Sequence, residues 1–196
     1  MDTLKKTLCA LACAFFPSLI GLMPVLLRQG QAMLFFYYSE YILYLLLYAV
    51  SCFGLIALYK YLKPSTEKRK FALPFGLTIL ALTIITLIIV IRSVITMKFP
   101  YPSDIGWLFT FHDIFALFLA PSGALLLVAL RTEINEYWVI FLMIMTGLGL
   151  CSLMMLGDFL LKIPGSPLYH LSPVVDMLSG LLFLIIACWF IKETPH

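Results

Sequence analysis

The sequence predicts an all-α integral membrane protein, a polytopic bundle of six transmembrane helices forming a single domain over residues 1–196. Hydrophobic residues make up 63% of the chain and charged residues 12%, whereas soluble domains carry about 25% charged residues. The apolar residues gather in six runs, and a membrane span needs about 20 such residues. Because backbone groups in lipid must pair internally, we expect helices rather than the shorter, alternating strands of a barrel.

The limits of the six predicted helices follow the apolar runs. The helices are expected at about 8–27, 41–59, 75–97, 105–130, 137–157 and 171–191. The segments between them are a charged connector at 60–70, a proline-containing turn at 99–104, a hydrophilic turn at 131–136 and a proline-glycine segment at 163–167. Pro17, Pro24 and Pro121 fall inside predicted helices and are expected to kink them.

The distribution of lysine and arginine predicts that both termini are cytoplasmic. In that orientation nine of the 13 basic residues lie inside and four lie outside, as expected when positive charge is retained in the cytoplasm. The inside set is Lys5, Lys6, Lys60, Lys63, Lys68, Arg69, Lys70, Arg131 and Lys192, and the outside set is Arg28, Arg92, Lys98 and Lys162. Their spread along the chain, with a net charge of only +3, does not indicate a nucleic-acid partner.

Ionisable residues within or beside the spans are the candidate ligand-binding residues, because an unpaired charge at mid-membrane costs about 2.5–3.5 kcal/mol. These candidates are Arg92, His112, Asp113, Asp176, Asp158 and Glu40. The helical rise places Arg92 and Asp176 about 8 Å, and Asp113 about 12 Å, inside the outer ends of their helices. We therefore expect these three side chains to meet in one polar layer of the outer half if their helices are neighbours.

Structural roles for the same residues stay open. Arg92 is also suited to anchor its helix at the outer headgroups, and Asp113 and Asp176 to bond neighbouring helices. Because His112 and Asp113 are adjacent in a helix, their side chains leave it about 100° apart and are expected to face different partners.

No metal or cofactor is predicted. The five cysteines all lie in apolar runs, without the histidine or carboxylate neighbours of a metal site. A b-type haem is the alternative, and it would need His112 and His170 to face each other, although His112 lies deeper in the membrane. Hydrolase, metalloprotease and phosphate-loop motifs are absent from the sequence, which argues against an enzyme.

Short motifs around the fourth predicted helix have a recognisable order. Tyr38-Ser39-Glu40 is followed by Phe99-Pro100 and then by His112, Ala116, Phe118 and Pro121. This order resembles a bacterial and archaeal family of six-helix integral membrane proteins of unknown function, although His170 and Asp176 occupy the region where that family has Glu-Arg. The resemblance implies the fold and a bacterial or archaeal cytoplasmic membrane, but no activity. Ser103-Asp104-Ile105-Gly106 is similar to an element that follows the first helix in Frag1/DRAM-type proteins.

The leading functional hypothesis is a non-enzymatic protein that binds a membrane lipid or small ligand in a polar pocket of the outer half. Arg92 would pair an anionic headgroup or a carboxylate, and His112, Asp113 and Asp176 would line the pocket. One alternative is a small proton-coupled transporter. Another is a structural subunit that depends on a partner subunit of a larger membrane complex.

Overall fold

Every regular element in the described part of the chain is helical, which confirms the all-α prediction. The computed structural model describes residues 2–17, 20, 30–62, 66–96, 105–130, 138–162, 168 and 171–192. The helices are α1 (Asp2–Ala12), α2 (Gly30–Tyr61), α3 (Thr66–Thr96), α4 (Gly106–Leu117), α5 (Leu119–Ala129), α6 (Trp138–Leu161) and α7 (Ser172–Lys192), with a 3₁₀ turn at Cys13–Phe15 after α1.

Four helical stretches are long and apolar enough to cross a membrane, as an integral membrane protein requires. They are Glu40–Tyr61, Glu67–Thr96, Gly106–Ala129 and Ile144–Leu161, and Ser172–Cys188 forms a shorter apolar helix. Only a third of the most apolar window in each of the first two stretches is buried inside the protein. Apolar side chains such as Phe53 and Ile95 therefore point outward, where lipid would surround them.

The helices form a closed ring in which successive helices are neighbours. α1 packs on α2, α2 on α3, α3 on α4 and α5, α5 on α6, α6 on α7, and α7 returns to α1. Phe15 after α1 contacts Phe183 of α7, and Cys9 lies within electrostatic range of Cys188. α1 and α7 are thus antiparallel. One end of the bundle therefore contains the start of α1, the end of α7, the end of α2 and the start of α3. We call this the connector end and the opposite one the far end.

The centre of the ring is filled by three stacked or tilted aromatic rings, which we call the phenylalanine layer: Phe15, Phe75 and Phe183. Their centroids are 5.8 Å (Phe15–Phe75), 5.3 Å (Phe15–Phe183) and 5.9 Å (Phe75–Phe183) apart, and all three side chains are fully buried. Gly123 leaves room for this layer, because a Cβ there would approach Phe15 and Phe183 to 3.2 Å. The layer therefore links α1, α3, α5 and α7 in one packed apolar core.

Several predicted helix limits differ from the structure. The first predicted helix, 8–27, is wrong at its start and is interrupted, because α1 begins at Asp2 and gives way to the 3₁₀ turn after Ala12, while the predicted end at 27 lies outside the described residues. In addition, α2 begins at Gly30 rather than 41, α3 begins at Thr66 rather than 75, and α6 ends at Leu161 rather than 157.

The predicted limits followed hydropathy alone. Backbone hydrogen bonding, however, continues a helix beyond its apolar residues where the residues at its ends stabilise the helical conformation. Glu67 in the first turn of α3 is one such stabilising residue, because its negative charge interacts favourably with the positive N-terminal end of the helix dipole.

Pro121 breaks the fourth predicted helix, as expected for a kinking proline. α4 ends at Leu117 and α5 begins at Leu119, since a proline cannot donate to the carbonyl four residues earlier. The hydroxyl of Ser122 donates to the carbonyl oxygens of Phe118 (2.6 Å) and Leu119 (3.0 Å) beside this break. The 3₁₀ turn similarly ends just before Pro17, while Pro24 lies outside the described residues.

α1 and α2 approach closely at Gly54. A Cβ built at this glycine would lie 2.9 Å from the Cβ of Ala10 and 3.3 Å from the backbone nitrogen of Leu11. Neither obstacle is the flexible end of a side chain, so relief would require the two helices to move apart.

We expect Gly54→Ala to lower the free energy of unfolding by about 1–3 kcal/mol, because it overpacks this helix contact. The matched control is Gly147→Ala, since a Cβ at Gly147 meets nothing within 4 Å and alanine is the better helix former by up to about 1 kcal/mol. Unfolding of the purified protein in detergent measures both changes. Equal stability of the two variants would contradict the close approach.

Candidate functional site

A polar stripe runs along the inner face of α2. Glu40, Tyr44 and Tyr48 follow one another at intervals of four residues, a spacing that places side chains on one face of a helix. All three are buried, with Tyr48 only 1% exposed. The hydroxyl of Tyr44 donates a hydrogen bond to Oε1 of Glu40. The buried carboxyl group thus has a donor supplied by its own helix.

His112 of α4 lies among three tyrosine rings of α2. Its imidazole stacks on Tyr44, with centroids 5.9 Å apart and planes at 12°, and Tyr41 meets it edge-on at 6.3 Å. The hydroxyl of Tyr48 lies 3.4 Å from Nε2 of His112. α2 and α4 therefore meet around one imidazole, which is buried within a membrane-length helix.

Asp113 stands on the other side of this imidazole. Its Oδ1 lies 3.6 Å from Nδ1 of His112, and its side chain is 48% exposed, against 10% for the histidine. The two side chains therefore differ in exposure, as expected for adjacent helical positions. The carboxylate also lies close to the ring of its neighbour, and the expectation that the two side chains face different partners stays a prediction. His112 thus lies between a half-exposed carboxylate and a buried tyrosine hydroxyl.

Asp176 adds a third helix to the site. It lies in the second turn of α7 and is 2% exposed. Both Asp176 and Asp113 act electrostatically on Tyr48, and His112 acts in the same way on Glu40. The group of side chains that we call the tyrosine–histidine cluster consists of Glu40, Tyr41, Tyr44, Tyr48, His112, Asp113 and Asp176.

Acidic side chains outnumber basic ones among the buried groups. Among the residues whose side-chain burial the structure describes, the buried ionisable side chains other than tyrosine are Glu40, His112 and Asp176, and no lysine or arginine in that set is buried. Arg92, which the sequence places in the same layer, has an exposed side chain on α3. The meeting of Arg92 with Asp113 and Asp176 stays a prediction.

Two further predicted site residues, Asp158 and His170, do not belong to the tyrosine–histidine cluster as defined above. Asp158 is half-buried near the end of α6, and its role in the pocket stays a prediction. His170 lies outside the described residues, so the haem alternative also stays a prediction. Over the described ranges no group of three or more histidine, cysteine, aspartate or glutamate side chains is arranged to hold a metal ion.

A buried hydroxyl of α3 lies at the level of the cluster. The contact between Cys52 Sγ and Thr83 Oγ1, at 3.4 Å, sets the register of antiparallel α2 and α3. This register places Thr86 about level with Tyr48. Thr86 is fully buried, and among the described residues its hydroxyl has no hydrogen-bond partner.

The phenylalanine layer separates the cluster from the connector end. Asp176 precedes Phe183 by seven residues on α7, which is about 10 Å along a helix. Beyond the layer the core continues with buried apolar residues such as Leu8, Leu58 and Ile186. The polar cluster is therefore bounded by apolar side chains on the side that faces the connector end.

Tyr44 and Tyr48 are not among the predicted site residues. The signal that identifies them is their spacing from Glu40, because tyrosines one and two turns from a glutamate in a membrane span can supply it with donors.

Comparisons with protein-family models, curated proteins and solved structures found no match.

The hydrogen bond between Tyr44 and Glu40 should be measurable by a double-mutant cycle. We expect Tyr44→Phe to lower the free energy of unfolding by about 1–3 kcal/mol, because it leaves a buried carboxyl group without that donor. In the Glu40→Gln background the same change should cost less, since the amide oxygen needs the donor less than a carboxylate does. Denaturation in detergent gives the coupling free energy, and additive effects would contradict the hydrogen bond.

Proposed function

We propose that this protein binds a small ligand or a lipid headgroup in a polar pocket of the outer half of the membrane. The observation that supports this most directly is the burial of Glu40, His112 and Asp176, which belong to three different helices and neighbour the buried tyrosines of α2. Ionisable groups inside membrane spans are costly and mark functional sites more often than surface charges do. The tyrosine rings supply apolar contact and hydroxyl groups together, as ligand pockets commonly do.

The proposed topology has six spans, with both termini in the cytoplasm. Its support is the connector end, where Lys60, Lys68, Arg69 and Lys70 flank the passage from α2 to α3. Arg69 donates to the carbonyl oxygen of Tyr59 (2.6 Å) and so fixes the last turn of α2. Positive charge at this end favours the cytoplasmic side, and the cluster beyond the phenylalanine layer then falls in the outer half.

The ligand-binding proposal predicts that a companion molecule survives gentle purification. Native mass spectrometry of the wild-type protein should show an added mass, and Asp176→Asn should reduce its occupancy severalfold, because the buried carboxylate contacts or orients the bound molecule. Glu67→Gln, an exposed substitution in the first turn of α3, should leave the occupancy unchanged.

A second variant separates binding from folding. Tyr48→Phe removes only the hydroxyl near His112 and should also reduce occupancy while the circular dichroism spectrum stays helical. If both variants retain the added mass at the wild-type level, the molecule binds elsewhere and the proposed pocket is wrong.

Proton-coupled transport is the second candidate. It is favoured by the order of groups from half-exposed Asp113 through His112 to buried Tyr48, with separations of 3.6 Å and 3.4 Å. Chains of carboxylate and histidine groups carry protons in membrane transporters. The hypothesis of a subunit in a larger complex stays a prediction.

Transport predicts proton uptake that depends on Asp113. Wild-type proteoliposomes containing a pH-sensitive dye should acidify when amines, amino acids or sugars are added in turn, and Asp113→Asn should abolish the response because the entry carboxylate is lost. Glu67→Gln should behave as wild type. An Asp113→Asn response equal to the wild-type response would exclude this residue from proton transfer.

A further inference from the structure

We propose that Cys9 of α1 and Cys188 of α7 are a modification site, at which a hydroperoxide oxidises the two thiols to a reversible disulfide. The contact between α1 and α7 closes the ring of helices, and we call this contact the α1–α7 seam. A disulfide across the seam would lock the ring covalently near the connector end. The inference is independent of any ligand in the tyrosine–histidine cluster.

The first argument is the register of α1 against α7. A Cβ built at Gly180 would lie 3.3 Å from the ring of Phe16, so this face of α1 touches α7. Cys9 precedes Phe16 by seven residues, which is about two helical turns, and therefore lies on the same face of α1. On the antiparallel α7, Cys188 follows Gly180 by eight residues. The two cysteines are thus placed at about the same level of the seam.

The second argument is that the two cysteines are near each other and the seam is tight. Cys9 and Cys188 interact electrostatically, as their common level requires. A Cβ at Gly180 would also lie 3.0 Å from the Cβ of Phe15, which only two closely approaching helices allow. A disulfide needs Cα atoms about 4.4–6.8 Å apart, and a tight seam between antiparallel helices can provide that separation.

The third argument is access for an oxidant. Both cysteines are free thiols, Cys188 is exposed and Cys9 is half-buried. Lys5 lies about one turn before Cys9, and Lys192 lies about one turn after Cys188. Since lysines near the ends of membrane helices extend towards water, both thiols are close to the aqueous boundary, where a soluble peroxide is present.

The reaction consumes one hydroperoxide, ROOH, for each disulfide. The sulfur of Cys188, the more exposed thiol, attacks the terminal oxygen and the O–O bond breaks. The alcohol ROH leaves with the thiol proton, and the sulfur becomes a sulfenic acid. The sulfur of Cys9 then attacks that sulfur, the S–O bond breaks, and water leaves with the second thiol proton. A soluble dithiol reverses the bond by thiol–disulfide exchange.

Cys13 is less suited to be the partner of Cys9. Its thiol donates to the carbonyl oxygen of Cys9 at 3.7 Å, so it lies about one turn away along the same segment. Side chains spaced in this way have Cβ atoms about 5–6 Å apart, whereas a disulfide requires about 3.5–4.5 Å. The cysteine across the seam is therefore the better partner.

The test uses the full-length protein, reduced, freed of reductant and held in nanodiscs. After treatment with hydrogen peroxide, the thiols that remain are labelled with a maleimide in denaturant and counted by mass spectrometry. All five cysteines of the chain should be labelled before oxidation and two fewer afterwards. Peptide mapping should identify Cys9 linked to Cys188, and dithiothreitol should restore both labels.

Substitutions identify the pair. Cys9→Ser and Cys188→Ser should each give no linked peptide after the same treatment. Cys151→Ser is the matched control, because it removes an exposed thiol from α6, and it should still form the link. Oxidation should also raise the midpoint of thermal unfolding of the wild-type protein by about 5 °C or more, because a link that encloses most of the chain restricts its unfolded state.

Three outcomes would overturn the inference. The first is that all five labels survive peroxide treatment, so that no disulfide forms. The second is that labels are lost with added oxygen and without a linked peptide, which would mean that each thiol is oxidised separately. The third is that mapping finds a link through Cys13 or between two chains. The wild-type map alone detects each of these, even if a substituted protein fails to fold.

Discussion

Burial of carboxyl groups in apolar helices is the constraint on which the rest of this structure depends. Glu40 and Asp176 are 8% and 2% exposed, and neither would be tolerated there without polar neighbours. The Tyr44 hydroxyl supplies a donor to Glu40, and Tyr48 lies in the field of Asp176. The tyrosines of α2, and the histidine stacked against them, follow from the need to accommodate these acids.

The apolar core holds these groups in place from below. Phe15, Phe75 and Phe183 are packed ring against ring, and Gly54 lets α1 lie close against α2. A tightly packed interior resists small rearrangements, so the polar side chains above it keep fixed partners. The same layer lies between the cluster and the connector end, which suits a pocket open on the opposite side.

The sequence is enough to predict the membrane helices and several of the important residues, because hydropathy and the cost of buried charge are local properties. His112 and Asp176 are identified in this way as ionisable residues within apolar runs. The start of α2 at Gly30 could not, since apolar content does not show where hydrogen bonding ends. Hydropathy does not predict Tyr44 and Tyr48 either, because it does not mark the inner face of a helix that is apolar on every side, and only their spacing from Glu40 indicates them. The exposure of Arg92 depends on the rotation of α3, which only packing determines.

The return of α7 onto α1 has a consequence for biogenesis. The ribosome synthesises α2 and α4 before α7. Glu40 and His112 can therefore come together before Asp176 has entered the membrane. During that interval the ring is open between α1 and α6, and its acidic interior faces the translocon or lipid. Insertion of α7 is therefore the event that closes the ring, and a chain stalled before it presents a polar seam that membrane quality control can recognise.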